Sequence, residues 1–180
     1  SGEYALPLLL RAIEGRVDLQ SIGNLSFRDK NKQVIVNAKQ FSPMRLEDLP
    51  FPKLDLFSPS TGENIRYIRQ VHTVGCPYQC PYCSDLMIGR KPFSFAIGRT
   101  LAEIRAYRAY YGEHHHIYFG DETFTLNTQR TLSLCEALRS EGNIEYDCQT
   151  RLNCLVDDRL PKALALSGCR WLEIGLESLN

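Results

Sequence analysis

The sequence predicts an α/β fold with parallel strands, preceded by a helix, a β-hairpin and a proline-rich linker. Between residues 65 and 180, apolar runs of strand length alternate with stretches of helical period, at roughly 27 residues for each later unit. Polar caps and glycines stand between these runs, where helices and strands are expected to end. Strands that are joined by helical crossovers lie parallel, with right-handed connections. An open or partly curled parallel sheet is therefore expected.

The composition is that of an ordinary globular protein without an excess of charge. The chain has 180 residues, with 21 Lys plus Arg and 21 Asp plus Glu. This balance gives it no electrostatic reason to bind nucleic acid or an anionic membrane. Its longest apolar stretch, 5–10, is far too short to span a bilayer or to serve as a secretory signal. We expect a cytoplasmic protein, and a piece of a longer one.

The first part of the chain predicts a helix and a hairpin. Leucines at helical spacing precede Gly15, which is a plausible helix stop. Two short β-prone runs, 24–28 and 33–38, flank a polar turn and predict the hairpin. Prolines then recur without a clear period, and proline and the residue before it both resist helix. We therefore expect three segments: 1–40, a linker at 41–64, and 65–180.

The third segment predicts four strands with three helices between them. The strands are expected at 65–74, 116–119, 145–149 and 171–174. A capping-box sequence, Thr100 to Glu103, predicts the start of the first helix. Asn127 and Asp158 predict the starts of the next two, and Gly168 the end of the last. Because chemistry in such sheets gathers at the carboxyl ends of the strands, the residues after each strand are candidate site residues.

Three of the seven cysteines follow the first strand closely, at Cys76, Cys80 and Cys83. At these spacings the three thiolates can reach one centre. Four thiolates would close a tetrahedral zinc site or saturate an iron–sulfur cube, whereas three leave one iron without a protein ligand. A secreted disulfide scaffold would distribute its cysteines in pairs along a shorter chain, so the cluster indicates metal ligation in a reducing compartment.

Two other kinds of metal site fit the spacing alone. A structural zinc site would take His72 or a distant cysteine as its fourth ligand. Zinc sites usually show two paired half-sites, however, and the sequence has no second Cys-x2-Cys. His72 falls in the predicted first strand and is expected to be an ordinary strand residue. An iron–sulfur electron carrier would also need a fourth ligand.

Polar residues follow the later strands as well. Gly120, Asp121 and Glu122 come after the second strand, where carboxylates and carbonyls could accept from an ammonium group. Acidic residues are also common before a helix, which is the simpler interpretation. Arg151 follows the third strand and has a guanidinium suited to a carboxylate, although a surface salt bridge is an equal alternative. Glu177 and Ser178 follow the fourth.

The motif Cys-x3-Cys-x2-Cys after a first β-strand, with Tyr82 before the last cysteine, resembles the radical S-adenosylmethionine (SAM) superfamily. The resemblance implies a partial (βα) barrel in which Cys76, Cys80 and Cys83 hold a [4Fe-4S] cluster. SAM would chelate the fourth iron, and its reductive cleavage would give a 5′-deoxyadenosyl radical. A reductant such as ferredoxin or flavodoxin would supply the electron.

The resemblance also implies roles for the other residues at the strand ends. Tyr82 would contact the adenine of SAM, and Arg151 could pair with the SAM carboxylate or with a substrate anion. The segment Gly120, Asp121 and Glu122 would bind the SAM amino group, and it resembles the Asp-Asp-x-Phe version of cobalamin-associated members. Glu177 and Ser178 would lie near the ribose.

The first sixty residues resemble the join between a cobalamin-binding domain and a radical SAM domain. The helix, the hairpin and Leu49-Pro-Phe-Pro52 carry this resemblance, which makes 1–40 a remnant of the cobalamin-binding type. The family's Asp-x-His-x-x-Gly motif is absent from the chain, so cobalamin is expected only in a longer parent protein. The resemblance implies that the full protein carries out methyl transfer or a rearrangement on an unidentified small molecule. With four of six family strands, the chain by itself is expected to bind SAM poorly and to be inactive.

Overall fold

A computed structural model of the chain describes residues 2–40, 48–57, 67–83, 91–112 and 116–176. The chain divides into two compact units, Ser1–Pro50 and Phe51–Asn180. Of the predicted linker, only 48–57 is described, and it contains a 3-10 turn at Leu54–Phe57. No helix in the described ranges is long and apolar enough to cross a membrane.

The first unit contains the predicted helix and hairpin. Helix α1, Gly2–Ile13, is followed by a 3-10 turn at Leu19–Ser21. Strands β1, Ser26–Arg28, and β2, Val34–Val36, pair antiparallel. Asp29 closes the hairpin turn, because its Oδ1 accepts from the amides of Asn31 at 2.9 Å and Gln33 at 2.8 Å. The hairpin prediction is confirmed, with shorter strands than the β-prone runs suggested.

The second unit is built on a parallel four-stranded sheet. Its strands are β3, Tyr67–Gln70, β6, His116–Phe119, β7, Tyr146–Arg151, and β8, Cys169–Gly175. They are hydrogen bonded in that order, and each pair is parallel. The α/β prediction is therefore confirmed. Within the described ranges the sheet is open and does not close into a barrel.

The predicted first strand is interrupted in the structure. After β3 the chain leaves the sheet, and Thr73–Val74 forms a separate strand, β4, that pairs antiparallel with β5, Phe93–Ser94. His72 lies between β3 and β4. The prediction that His72 is an ordinary strand residue is therefore wrong. The physical reason is that its backbone amide donates to the side chain of Asp121 instead of to a strand neighbour.

Three helices connect the sheet strands: α2, Ile97–Tyr111, α3, Thr128–Glu141, and α4, Arg159–Leu166. The predicted cap at Thr100 is wrong, because α2 begins three residues earlier and Thr100 is buried within it. Asn127 caps α3 as predicted, accepting from the amide of Arg130 at 3.0 Å. Asp158 stands before α4 without a side-chain cap bond. Asp157 accepts from the amide of Arg159 instead, at 3.0 Å.

A hydrophobic core packs the helices onto the sheet. Its central aromatic rings are those of Phe119, Phe124 and Tyr146, with centroids 4.9 to 5.9 Å apart. The other members include Ile104 from α2, Leu134 and Leu138 from α3, and Leu164 from α4. Because this core fixes the strands, the segments that follow their carboxyl ends are held along one edge of the sheet.

Candidate functional site

Three of the four strand ends contribute to one cluster of residues around the cysteines. The cysteine loop, residues 76–83, follows β3 and β4. Cys76 Sγ lies 3.8 Å from the hydroxyl of Thr123, which follows β6. Arg151, the last residue of β7, places Nη1 2.9 Å from Cys80 Sγ. The sheet therefore brings the cysteine loop against the ends of its two central strands.

The cysteine loop presents three half-buried thiols, those of Cys76, Cys80 and Cys83. The amide of Cys83 donates to the carbonyl of Cys80 at 2.9 Å, which closes a turn. In the ranges that the structure describes, no group of three His, Cys, Asp or Glu side chains is arranged to hold a metal ion. Soft thiols on a short loop are nevertheless the donor set that an iron–sulfur cluster takes.

Gly75 gives the cysteine loop its starting direction. Its φ is 91°, in the left-handed region that side chains with a Cβ avoid. Its amide donates to Glu122 Oε2 at 3.0 Å. The half-buried Glu122 therefore holds the chain one residue before Cys76.

Arg151 turns toward the cysteine loop. Its guanidinium carbon lies 4.2 Å from the ring centroid of Tyr78, and Nε donates to Asn153 at 3.4 Å. The hydrogen bond to Cys80 raises the pKa of Arg151 above its usual value. Among the described residues, Arg151 contacts Tyr78, Cys80 and Asn153. No salt bridge of Arg151, the alternative considered from the sequence, is found among them.

Cys154 is a fourth thiol close to the cysteine loop. The Tyr78 hydroxyl lies 3.1 Å from Cys154 Sγ, and this hydrogen bond is the first cause of a raised Tyr78 pKa. The hydroxyl of Thr125 donates to the Cys154 carbonyl at 3.2 Å, which helps to hold that segment. Sequence reasoning missed Cys154, because nothing in its local pattern distinguishes it from a structural cysteine.

Asp121 lies inside the protein and does not face solvent. Its side chain is 0% exposed. Oδ2 accepts from the His72 amide at 3.0 Å and Oδ1 from the Thr73 amide at 2.5 Å. Burial raises the pKa of Asp121 to about 7, although the two amide hydrogen bonds act in the opposite direction. The carboxylate is therefore occupied by the backbone that leads to the cysteine loop.

Gly120 makes room for an arginine at the same edge. A Cβ on Gly120 would lie 2.5 Å from Nε of Arg69, which is on β3. The amide of Gly120 donates to the Gln70 carbonyl at 2.8 Å and extends the pairing of β3 with β6 by one step. Any larger residue at 120 would displace the Arg69 guanidinium from this position.

His72 is a second buried polar residue at this edge, and sequence reasoning did not predict its burial or its partner. It is 2% exposed, and its Nδ1 lies 2.8 Å from the hydroxyl of Thr100. Burial, reinforced by the charge of Arg130, lowers the pKa of His72 to about 4. Its Nε2 has no hydrogen-bond partner among the described residues. The contact with Thr100 spans 28 residues, so no local sequence signal reports it.

The sequence-predicted site residues therefore divide into three groups. Seven of them lie at the carboxyl edge of the sheet: Cys76, Cys80, Cys83, Gly120, Asp121, Glu122 and Arg151. Tyr82 lies on the cysteine loop with a side chain that is 64% exposed. Glu177 and Ser178 lie outside the described residues.

A cleft of about 700 Å³ lies at the opposite edge of the sheet. It is lined by residues at the amino ends of the strands, among them His116, Glu145 and Gly168. Two of its lining residues approach acidic side chains: His116 Nε2 lies 2.8 Å from Asp147 Oδ1, and Arg170 Nη2 lies 2.5 Å from Glu145 Oε1. The cleft shares no residue with the cysteine loop.

The family comparison agrees with the geometry at the carboxyl edge. Residues 71–180 match the family model described as the radical SAM superfamily. This range is more than half of the chain and includes the cysteine loop and every other site residue predicted from the sequence.

Two curated relatives are methyltransferases by name. An uncharacterized methyltransferase of Pyrococcus horikoshii is 26% identical over 185 residues, which cover 99% of this chain and 39% of the relative. The bacteriochlorophyllide d C-12(1)-methyltransferase of Chlorobaculum tepidum is 28% identical over 156 residues, which cover 86% of this chain and 34% of the relative. The chain thus spans between a third and two fifths of these proteins.

Two solved structures share the fold. The cobalamin-dependent SAM radical enzyme OxsB, with aqua-cobalamin and SAM bound, gives a TM-score of 0.74 at 22% identity. That match covers 98% of this chain and 27% of OxsB. The radical SAM methyltransferase TsrM from Kitasatospora setae gives 0.73 at 16% identity, over 99% of this chain and 36% of TsrM. At identities this low, the TM-scores establish a common fold and nothing further.

Proposed function

Because the chain belongs to the radical SAM superfamily, we propose that its parent protein cleaves SAM reductively with a [4Fe-4S] cluster held by Cys76, Cys80 and Cys83. When bound, such a cluster supplies the electron that splits SAM into methionine and a 5′-deoxyadenosyl radical. The observation that carries the proposal is the contact of the cysteine loop with Thr123 and Arg151 at the carboxyl edge of a parallel sheet.

The chain's own residues would hold the loop and the cofactor. Arg151 donates to Cys80 and stacks on Tyr78, so it anchors the middle of the loop. A guanidinium has five donors, which leaves Arg151 able to bind the SAM carboxylate as well. Tyr82 is exposed and can lie against an adenine. Glu122 uses Oε2 on Gly75, and its second oxygen can accept from the SAM ammonium.

Methyl transfer is the reaction that we propose for the parent protein. Both curated relatives are methyltransferases by name, and each aligns over most of this chain. We further propose that cobalamin binds in the parent protein, with residues 1–40 as part of that domain. The structural neighbours that are named for cobalamin support this, since they match the chain over nearly its whole length. A rearrangement or cyclisation would be the alternative use of the same radical.

The partner and compartment follow from this chemistry. Reductive cleavage needs a donor of low potential, and ferredoxin or flavodoxin is the class that we propose. Cysteines that serve as cluster ligands need a reducing compartment, which supports the cytoplasm.

Anaerobic reconstitution tests the proposal. We expect about four iron and four sulfide per chain, with broad absorption near about 400 nm. Incubation of the full-length protein with SAM and a strong reductant should then release 5′-deoxyadenosine. One bound zinc without colour would contradict the proposal, and so would an intact cluster that never cleaves SAM.

Transfer of the SAM methyl group can be followed separately. Methyl-labelled SAM should give a labelled small-molecule product only when cobalamin is supplied. Release of 5′-deoxyadenosine without any labelled product would favour rearrangement over methyl transfer. The isolated chain is expected to bind SAM more weakly than the full-length protein, and equal affinities would refute that expectation.

A further inference from the structure

The segment between β3 and the cysteine loop leaves the sheet and has to find other acceptors for its amides. Buried backbone N–H groups are almost always paired, because an unpaired one costs about as much as a lost hydrogen bond. His72 and Thr73 donate to Asp121, and Gly75 donates to Glu122. Two consecutive acidic residues thus hold three of the four amides that immediately precede Cys76.

Asp121 is fixed from several sides. Both carboxylate oxygens accept amides from residues that are 48 and 49 positions away in the sequence. Its backbone carbonyl accepts from Gln149 Nε2 at 3.0 Å, which ties it to β7. With a side chain that is 0% exposed, it can reach a ligand only if this arrangement opens.

We propose that Asp121 is a positioning residue, whose carboxylate holds the amides of His72 and Thr73 and thereby fixes the direction in which the chain enters the cysteine loop. The inference rests on the proposed function in assigning that loop to a cluster. It departs from the expectation that Asp121 binds the amino group of SAM, a role that stays with Glu122.

The chemistry of the two acidic residues differs in a way that permits a matched test. Both carboxylate oxygens of Asp121 accept a backbone amide. Asp121→Asn would replace one of these oxygens by an NH₂ group, which cannot accept from the backbone N–H that it faces. Among the described residues Glu122 accepts only through Oε2, so Glu122→Gln keeps the acceptor that Gly75 needs. Both variants remove one negative charge at adjacent positions. Total stability cannot distinguish them, because Asp121→Asn also removes the cost of burying a charge.

Amide hydrogen exchange, measured on the apo chain at about pH 8, where the carboxylate of Asp121 is ionised, decides the proposal. In Asp121→Asn the amides of His72, Thr73 and the cysteine loop should exchange at least roughly tenfold faster than in the wild type, the size expected for loss of a charge-assisted bond. In Glu122→Gln they should stay close to the wild-type rates. Unchanged exchange in Asp121→Asn, or equal acceleration in both variants, would overturn the proposal.

Iron release to a chelator then separates positioning from general stability. Ile117→Val serves as the control, because it removes one buried methylene from β6 and leaves the carboxyl edge unchanged. The measurement is made at a temperature where the wild type and both variants are folded. There, Asp121→Asn should lose iron several-fold faster than Ile117→Val. Equal rates would overturn the positioning role, as would an Asp121→Asn protein that keeps its iron and loses only SAM affinity. If the wild-type protein takes up no cluster, the proposed function is wrong. The role of Asp121 is then still decided by amide exchange.

Discussion

Arg151 Nη1 lies 2.9 Å from Cys80 Sγ, across 71 residues of sequence, while the same guanidinium stacks on Tyr78. The contact joins the end of β7 to the middle of the cysteine loop. A cation that donates to a thiolate sulfur stabilises the charged form of that sulfur. In a cluster-bound protein, hydrogen bonds to the ligand sulfurs raise the reduction potential.

Replacing Arg151 should therefore lower the reduction potential of the reconstituted cluster. For Arg151→Ala we expect a shift of the order of tens of millivolts to more negative values. Arg151→Lys should shift less, since it keeps the charge but loses the planar contact with Tyr78. Potentiometric titration followed by electron paramagnetic resonance measures both. Arg170→Ala, at the far edge of the sheet, is the control, and a shift of equal size there would contradict the prediction.

Serine replacement should distinguish the ligand cysteines from the others. Cys76→Ser, Cys80→Ser and Cys83→Ser should each reduce bound iron to a small fraction of the wild-type amount, because a hydroxyl is a poor ligand for this soft site. Cys169→Ser should retain nearly full loading, since Cys169 lies at the amino end of β8, at the opposite edge. Iron and sulfide assays after anaerobic reconstitution provide the measurement. Full loading of any of the first three variants would remove that cysteine from the ligand set.

His72 should make the protein less stable in mild acid. Its folded-state pKa of about 4 lies below the usual 6.5, so between these values the unfolded chain binds a proton that the folded chain does not. The free energy of unfolding should therefore fall as the pH is lowered from about 6.5 to about 4, by about 2–3 kcal/mol from this residue.

The comparison protein for this prediction is His72→Gln, which keeps a polar group near Thr100. Asp121 contributes in the opposite direction, because its raised pKa makes stability fall as the pH rises from about 4 to about 7. The difference between wild type and variant, from urea unfolding at several pH values, isolates His72. If the free energies of unfolding of wild type and variant change with pH in parallel, His72 is not buried in its neutral form.

Two glycines should respond in opposite ways to alanine. Gly168 has a φ of 101°, and a Cβ there would lie 1.9 Å from the Ile144 carbonyl oxygen. Gly168→Ala should therefore destabilise the protein by more than about 2 kcal/mol. Gly98 lies in α2 with no neighbour within 4 Å of the added carbon, so Gly98→Ala should stabilise it by up to about 1 kcal/mol. Thermal unfolding measures both, and a neutral Gly168→Ala would contradict the geometry.

Local patterns predicted the elements whose causes are local. The alternation of strand-length and helical runs predicted the parallel sheet, and Asn127 was predicted as a cap that the structure contains. Thr100 shows where this reasoning fails. Its capping-box spacing is genuine, but the helix starts at Ile97, since burial against His72 outweighs a weak local preference.

The sequence alone determined the alternating α/β plan and the three-thiol loop, because apolar period and cysteine spacing are properties of neighbouring residues. Tertiary structure alone decided that Asp121 is occupied by the amides of His72 and Thr73 and that Arg151 reaches Cys80. Those contacts join residues 48 to 71 positions apart. Which donor meets which acceptor at that separation depends on how the packed sheet places the ends of its strands, and no short stretch of sequence contains that information.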